Sequence, residues 1–160
     1  MIDDRGLTEQ ALLKYYERKQ CSGQWSGFVG LFFDELLRSA GERDAHAFLR
    51  HIGTRLGRSL ELGQHETLEG LEAAMNRQWD QLDWGFVNLA ERDLRLVIRH
   101  SAYPVPASLV GEDTARGAMA AVLEGIYATW LEKQSGESGI PLRLAGSRSG
   151  NVLEFHYGRH

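Results

Sequence analysis

The apolar positions in the first half of the chain recur at the spacing of helices. From Leu68 to Leu82 apolar side chains return every three or four residues, so one side of a helix is predicted to face a core. The same spacing predicts three earlier helices, over 8–19, 26–39 and 43–62. In the second of these, apolar residues lie almost all the way round, which is typical of an element that is buried on several sides: Phe28, Val29, Leu31, Phe32, Phe33, Leu36 and Leu37.

After Gly85 a period of two predicts an antiparallel hairpin with strands over 86–89 and 94–100. In the second strand one face is apolar and the other is charged, so we expect the apolar face to meet the core. Leu94, Leu96 and Ile98 are predicted to point inward, and Arg95 and Arg99 outward.

A long amphipathic helix is predicted over 113–133, because its apolar stripe is too wide for exposure to solvent. A second pattern runs along it, in which small residues repeat every fourth position: Gly117, Ala121, Gly125 and Thr129. Helix glycines usually have a packing role. We therefore expect another backbone to lie close to this ridge, either within the chain, which we favour, or in a neighbouring subunit.

Two further strands are predicted over 141–144 and 151–157, paired across the loop 146–150. The predicted fold is therefore α+β, with four N-terminal helices, an antiparallel hairpin, a long helix and a second antiparallel hairpin. No linker or repeat divides the sequence, and the 160 residues fit one domain over 1–160.

Composition excludes several classes of function. The net charge of −4 and the scattered basic residues give no footprint for nucleic acid. A single cysteine, Cys21, cannot form an internal disulfide, which suits a reducing compartment. The start Met1–Arg5 lacks the basic and apolar regions of a secretion signal, so we expect a cytosolic location.

Catalytic and metal-binding motifs are largely missing from the sequence. His46 and His51 are five residues apart and do not share a helix face, so we expect neither a metal nor a cofactor. The loop 146–150 resembles a nucleophile elbow, but arginine holds the position that needs serine. We therefore predict no catalytic residue.

One segment does suggest enzyme chemistry, because two carboxylates, Asp80 and Asp83, lie between the indoles of Trp79 and Trp84. Glycosidases use paired carboxylates. A glycosidase therefore stays open as an alternative, although both carboxylates also fit a solvated helix face and the turn that follows it.

Three segments carry a resemblance to a known family. They are a helix with its following strand over 71–97, which includes Asp83–Leu89, the long-helix segment 121–130 and, more weakly, 48–58. Together they cover about half of the chain. In them the sequence resembles the D subunit of bacterial cellulose synthase.

The resemblance implies a non-catalytic accessory subunit that forms a closed octameric ring, a tetramer of dimers. Such a ring would organise the synthases or guide glucan chains so that cellulose emerges in ordered ribbons. It implies the synthase complex and a proline-rich accessory protein as partners. The lack of a visible export signal favours the cytoplasm at the inner membrane, and the resemblance leaves the periplasm as the alternative. The order of helices and hairpins is also similar to small-ligand-binding adaptor domains of the four-vinyl-reductase type, which gives a second hypothesis.

If the protein contacts β-1,4-glucan, the aromatic residues beside the first helix break are our candidates: Tyr15, Tyr16 and Trp25. Sugars stack on aromatic rings, but aromatic residues are mostly buried in cores or interfaces. Ordinary core or subunit contacts therefore remain the alternative role for all three.

Overall fold

The computed structural model describes residues 4–146 and 150–159, without the side chains of Asp4 and Arg18. Five helices and four strands follow one another in the predicted order, so the α+β fold is confirmed. The elements are α1 (Asp4–Gln20), α2 (Gly23–Ala40), α3 (Glu42–Ser59), α4 (Leu68–Leu82), β1 (Phe86–Arg92), β2 (Arg95–Ser101), α5 (Glu112–Ser135), β3 (Leu142–Ala145) and β4 (Val152–Tyr157).

The two hairpins join into one antiparallel sheet of strand order β1-β2-β4-β3. The joint is the pairing of β2 with β4, in which Ile98 lies opposite Phe155. Residues 147–149 of the predicted connecting loop lie outside the described residues. Joining the hairpins gives β2 and β4 a neighbour on both sides, so these strands form the centre of the sheet.

The end of the third helix differs from the prediction, because α3 stops at Ser59 rather than at residue 62. Leu60 leaves the helical conformation with φ −102° and ψ 82°. Its carbonyl then accepts a hydrogen bond of 2.7 Å from the indole Nε1 of Trp130 on α5. A contact between residues far apart in sequence therefore decides where this helix ends.

The predicted inward position of Leu94 is wrong. Asp93 and Leu94 have φ of 50° and 62° and form the tight turn between β1 and β2, as expected of a two-residue hairpin loop. Leu94 is therefore 90% exposed. On the face predicted to be outward, Val97 is nevertheless buried, between Ala90 on β1 and His156 on β4.

The helix α4 covers the outer edge of β1. The amide of Asn76 donates to the carbonyl of Val87 and accepts from its N–H, at 2.9 and 2.8 Å. A carboxylate oxygen of Glu72 accepts from the N–H of Leu89 at 2.7 Å. These side chains hydrogen-bond to backbone groups of β1 that could otherwise pair with another strand.

The core lies around α5, most of which is buried against α3 and the sheet. The backbones of α3 and α5 touch: a Cβ at Gly125 would lie 2.1 Å from the carbonyl oxygen of Arg50, and one at Gly53 would lie 2.0 Å from that of Val122. Thr129 similarly lies against Gly57. Gly117 and Ala121, the other two residues of the predicted ridge, are buried.

Within the described residues, no helix combines the length and apolar character needed to cross a bilayer.

Candidate functional site: an aromatic cleft beside α1

A cleft of about 340 Å³ lies between α1 and the connection from α4 to β1. Two partly exposed rings line it, those of Tyr16 and Phe86, together with the exposed residues Asp80 and Asp83. The structure thus brings the glucan candidate Tyr16 beside the two carboxylates of the glycosidase-like segment. Aromatic faces and exposed carboxylates suit a ligand that carries both apolar faces and hydroxyl groups.

The backbone at the end of α4 fixes this side of the cleft. Asp83 ends the helix in the left-handed conformation, with φ 54° and ψ 43°. Gly85 follows with φ 86°, and a Cβ there would lie 2.1 Å from the carbonyl oxygen of Ser101. Only glycine fits such a close approach, and the turn places Phe86 at the start of β1.

The opposite wall is α1, which is attached to the body by a buried ion pair. Arg116 on α5 is 1% exposed and Glu17 on α1 is 3% exposed. Nη1 and Nη2 of Arg116 donate to the two carboxylate oxygens of Glu17 at 3.2 and 2.8 Å. In addition, Gln20 donates to the carbonyl of Ala102 at 3.0 Å, close to the cleft.

The same two nitrogens of Arg116 have further partners. They donate to the Tyr103 hydroxyl at 2.9 Å, to Asn151 at 3.0 Å and to the Glu112 carboxylate. Burial opposes the charge on Arg116, but the bonds to Glu17, Tyr103 and Glu112 raise its pKa above the ordinary value. Burial also raises the pKa of Tyr103 to about 12. Tyr103 therefore stays protonated and donates to the carbonyl of Gly150 at 2.8 Å.

Behind the cleft lies a buried aromatic cluster. Trp79 is fully buried and stacks on Trp84 with 5.9 Å between ring centroids. The rings of His100 and Tyr127 meet Trp79 in T-shaped geometry, with centroids 4.9 and 5.7 Å away, and the ring of Trp130 lies 5.0 Å away. Trp79 lies at the floor of the cleft although it is closed to solvent, and Trp84 stacks on it, so this pair of indoles supports the cleft from behind.

Burial lowers the pKa of His100 to about 4, so the ring is neutral near pH 7. Its Nε2 lies 2.6 Å from the carbonyl oxygen of Trp84, which can only accept, so Nε2 carries the proton. Its Nδ1 then accepts from the Tyr127 hydroxyl at 2.6 Å. This tautomer joins α5 to the strand β2 and to the chain segment that precedes β1.

The three glucan candidates do not share one site. Tyr16 lines the cleft, whereas Tyr15 is exposed beside it, with its ring edge-on to Tyr16 at 5.7 Å. Trp25 is exposed on α2 and contacts Phe28 at 6.1 Å.

Sequence reasoning missed Phe86 as a cleft residue and Arg116 as the anchor of α1. Arg116 was visible as a charge on the apolar side of the predicted long helix, flanked by alanine and glycine. Its partner Glu17 is 99 residues away and gave no signal. In residues 4–146 and 150–159 there is no group of three or more histidine, cysteine or acidic side chains that could hold a metal ion.

Comparison with known proteins identifies the family. The family model for the D subunit of cellulose synthase matches residues 11–158. The chain belongs to the cellulose synthase D-subunit family. A curated relative, "Cellulose synthase operon protein D" of Komagataeibacter xylinus, is 29% identical over 109 residues, which are 66% of this chain and 67% of the relative. Membership of this family links the chain to cellulose synthesis, and the matched range includes the cleft and the Arg116 anchor.

Proposed function

We propose that this protein is a non-catalytic accessory scaffold of the bacterial cellulose synthase and secretion complex. The family match over residues 11–158 is the observation that carries the proposal. In this proposal the chain forms a ring-like homo-oligomer, an octamer built as a tetramer of dimers. The ring organises the synthases or guides their glucan chains, so that ordered cellulose is formed.

The partners and the location belong to the same proposal. The scaffold acts in the cytoplasm at the inner membrane, next to the synthase complex and a proline-rich accessory protein. Its acidic net charge of −4 gives it no general attraction to nucleic acid.

The cleft beside α1 supports direct contact with β-1,4-glucan. Glucose rings present apolar faces that can stack on Tyr16 and Phe86, and their equatorial hydroxyls can donate to the carboxylates of Asp80 and Asp83. Because both carboxylates are exposed, binding is expected to be weak, which suits a guide along which a chain must move.

A deletion strain tests the scaffold. Cells without the protein are expected to make less cellulose or less ordered cellulose, and a plasmid copy of the gene should restore both. Unchanged yield and order in the deletion strain would contradict the proposal.

Replacing Tyr16 by alanine tests the contact with glucan. The side chain is exposed, so Tyr16→Ala should leave folding and assembly unchanged while lowering the amount of ordered cellulose in the complemented strain. Tyr15→Ala is the matched control, since Tyr15 is equally exposed but lies outside the lining of the cleft. Equal cellulose from Tyr16→Ala and wild type would exclude the cleft as a glucan contact.

A further inference from the structure

The helix α2 has two apolar sides, and the described residues of the chain cover one of them and leave the other exposed. Its covered side is anchored by Phe33, by Asp34 and by Gly30, where a Cβ would meet the carbonyl oxygen of Ala107 at 1.5 Å. Asp34 accepts from the Ser108 hydroxyl at 2.5 Å and from the N–H of Leu109 at 2.8 Å. These contacts hold α2 in one orientation against the segment before α5.

The other side of α2 presents a ridge of large apolar residues to solvent. Trp25, Phe28 and Phe32 lie within an arc of about 60° at 3.6 residues per turn, and Leu31 lies beside them. Their exposed fractions are 56%, 65% and 46%, with 45% for Leu31. We call these four residues the α2 ridge. A helix that is apolar nearly all round is typical of a buried element, so the ridge is expected to be covered in the working protein.

The size of the ridge fits a protein interface. A large side chain that is half exposed presents roughly 100 Å², so the four residues present about 400 Å² of apolar surface. A standard interface takes about 800 Å² from each partner, of which about 57% is apolar. The α2 ridge therefore supplies close to the whole apolar share of one partner's surface.

The charges of α2 argue against a membrane as the occupant. Helices that lie on membranes carry several lysine or arginine residues on their polar face. Between Gly23 and Ala40 the only basic residue is Arg38, and it is paired with Glu35 on the same helix. A partner surface that is itself aromatic and weakly charged fits better, and a second copy of this ridge has that chemistry.

We propose that the α2 ridge is a subunit contact, in which it packs on the α2 ridge of a second copy of this chain. This inference rests on the proposed homo-oligomer and adds the surface through which two copies meet. In a twofold contact the same patch is used by both subunits, so Trp25, Phe28 and Phe32 of each copy face their equivalents. The rigid attachment of α2 orders the ridge before association, which reduces the entropy lost on binding.

The first test compares the solution masses of two variants with that of the wild type, by light scattering over a range of concentrations. Phe28→Glu with Phe32→Glu places charges in the contact, and the mass of the assembly is expected to fall to half or less. Leu94→Glu is the matched control, because Leu94 is a large apolar residue that is 90% exposed in the β1–β2 turn. Its mass should equal that of the wild type.

A second variant separates an effect on assembly from an effect on folding. Phe28→Ala with Phe32→Ala removes two rings from residues that are 65% and 46% exposed and adds no charge, so the thermal unfolding of the subunit should change far less than the assembly does. The concentration at which the assembly dissociates is expected to rise at least tenfold. A wild-type mass and unchanged dissociation in both double variants would overturn the ridge contact, while leaving the proposed oligomer in place.

A wild-type chain that stays at the 18.0 kDa of one subunit at every concentration would overturn both the ridge contact and the homo-oligomer. The same proteins are also mixed with phospholipid vesicles. If the wild type binds the vesicles and the double variants do not, while assembly is unchanged, the ridge contacts a membrane and the inference is overturned. The role in cellulose formation is measured separately, by the yield and order of cellulose from the deletion strain. Failure of the contact and failure of the function can therefore be told apart.

Discussion

At the scale of single residues, His100 makes the stability of the fold depend on pH. Burial lowers its pKa to about 4 from an ordinary value of 6.5. Between these values the unfolded chain binds a proton that the folded chain excludes, so stability falls as the pH drops from 6.5 to 4. A pKa shift of this size lowers the free energy of unfolding by about 3 kcal/mol over this pH range.

Urea unfolding of wild type and His100→Gln at several pH values measures this effect. Glutamine can donate to the carbonyl of Trp84 and accept from Tyr127, but it does not titrate. The stability of the wild type relative to that of His100→Gln should therefore fall by about 3 kcal/mol as the pH drops from 6.5 to 4. A difference that stays constant across this range would contradict the assignment to His100.

The Arg116–Glu17 pair is expected to hold α1 on the body. Arg116→Met leaves the Glu17 carboxylate buried without its partner, which costs about 3–5 kcal/mol for a buried pair. Hydrogen exchange should also show that α1 loses protection before the sheet does. Arg38→Met is the control, because the Arg38–Glu35 pair lies on the surface and its loss should leave unfolding nearly unchanged. If the two variants lost the same stability, the burial of the Arg116–Glu17 pair would not contribute to its effect.

At the scale of elements, the close packing of α3 on α5 predicts opposite effects for two glycines. Gly125→Ala would place a Cβ 2.1 Å from the backbone carbonyl of Arg50. Such overpacking costs about 1–3 kcal/mol. Gly27→Ala in α2 meets nothing within 4 Å, so the better helix propensity of alanine should stabilise the chain by up to about 1 kcal/mol. Thermal unfolding of both variants measures these two effects. If both substitutions lowered the stability of the chain, the packing described for these helices would be contradicted.

The elements themselves could be read from the sequence because local patterns determine them. Apolar spacing gave the five helices, and the run of strand residues after Gly85 gave the first hairpin. Three details escaped because distant contacts set them: the end of α3 at Ser59, the burial of Val97 and the joining of the two hairpins through β2 and β4. Leu94 was misplaced by its apolar character, although the polar residues before it indicated a turn.

The candidate site could be predicted only in part for the same reason. Tyr16, Asp80 and Asp83 were each singled out from local composition, but their meeting in one cleft depends on how α1 lies on the body. That position depends on Glu17 and Arg116, which are 99 residues apart. Exposure of Tyr15 and Trp25 likewise follows from the assembled fold.

At the scale of the whole molecule, the proposed scaffold combines a rigid frame with two surfaces for contact. The buried aromatic cluster and the Arg116 anchor hold the fold in place. The cleft is the proposed surface for contact with glucan, and the α2 ridge is the proposed surface for contact with a second subunit. Because the ridge and the cleft share no lining residue, assembly and glucan contact should be separable by mutation.

The most direct test of a non-catalytic ordering role is made on membranes from the deletion strain, with and without added purified protein. We predict that the rate of glucose incorporation from UDP-glucose into glucan is the same in both. We also predict that the product diffracts as more ordered cellulose when the protein is present. A rate of incorporation that depends on the protein, with no change in order, would contradict the proposed role.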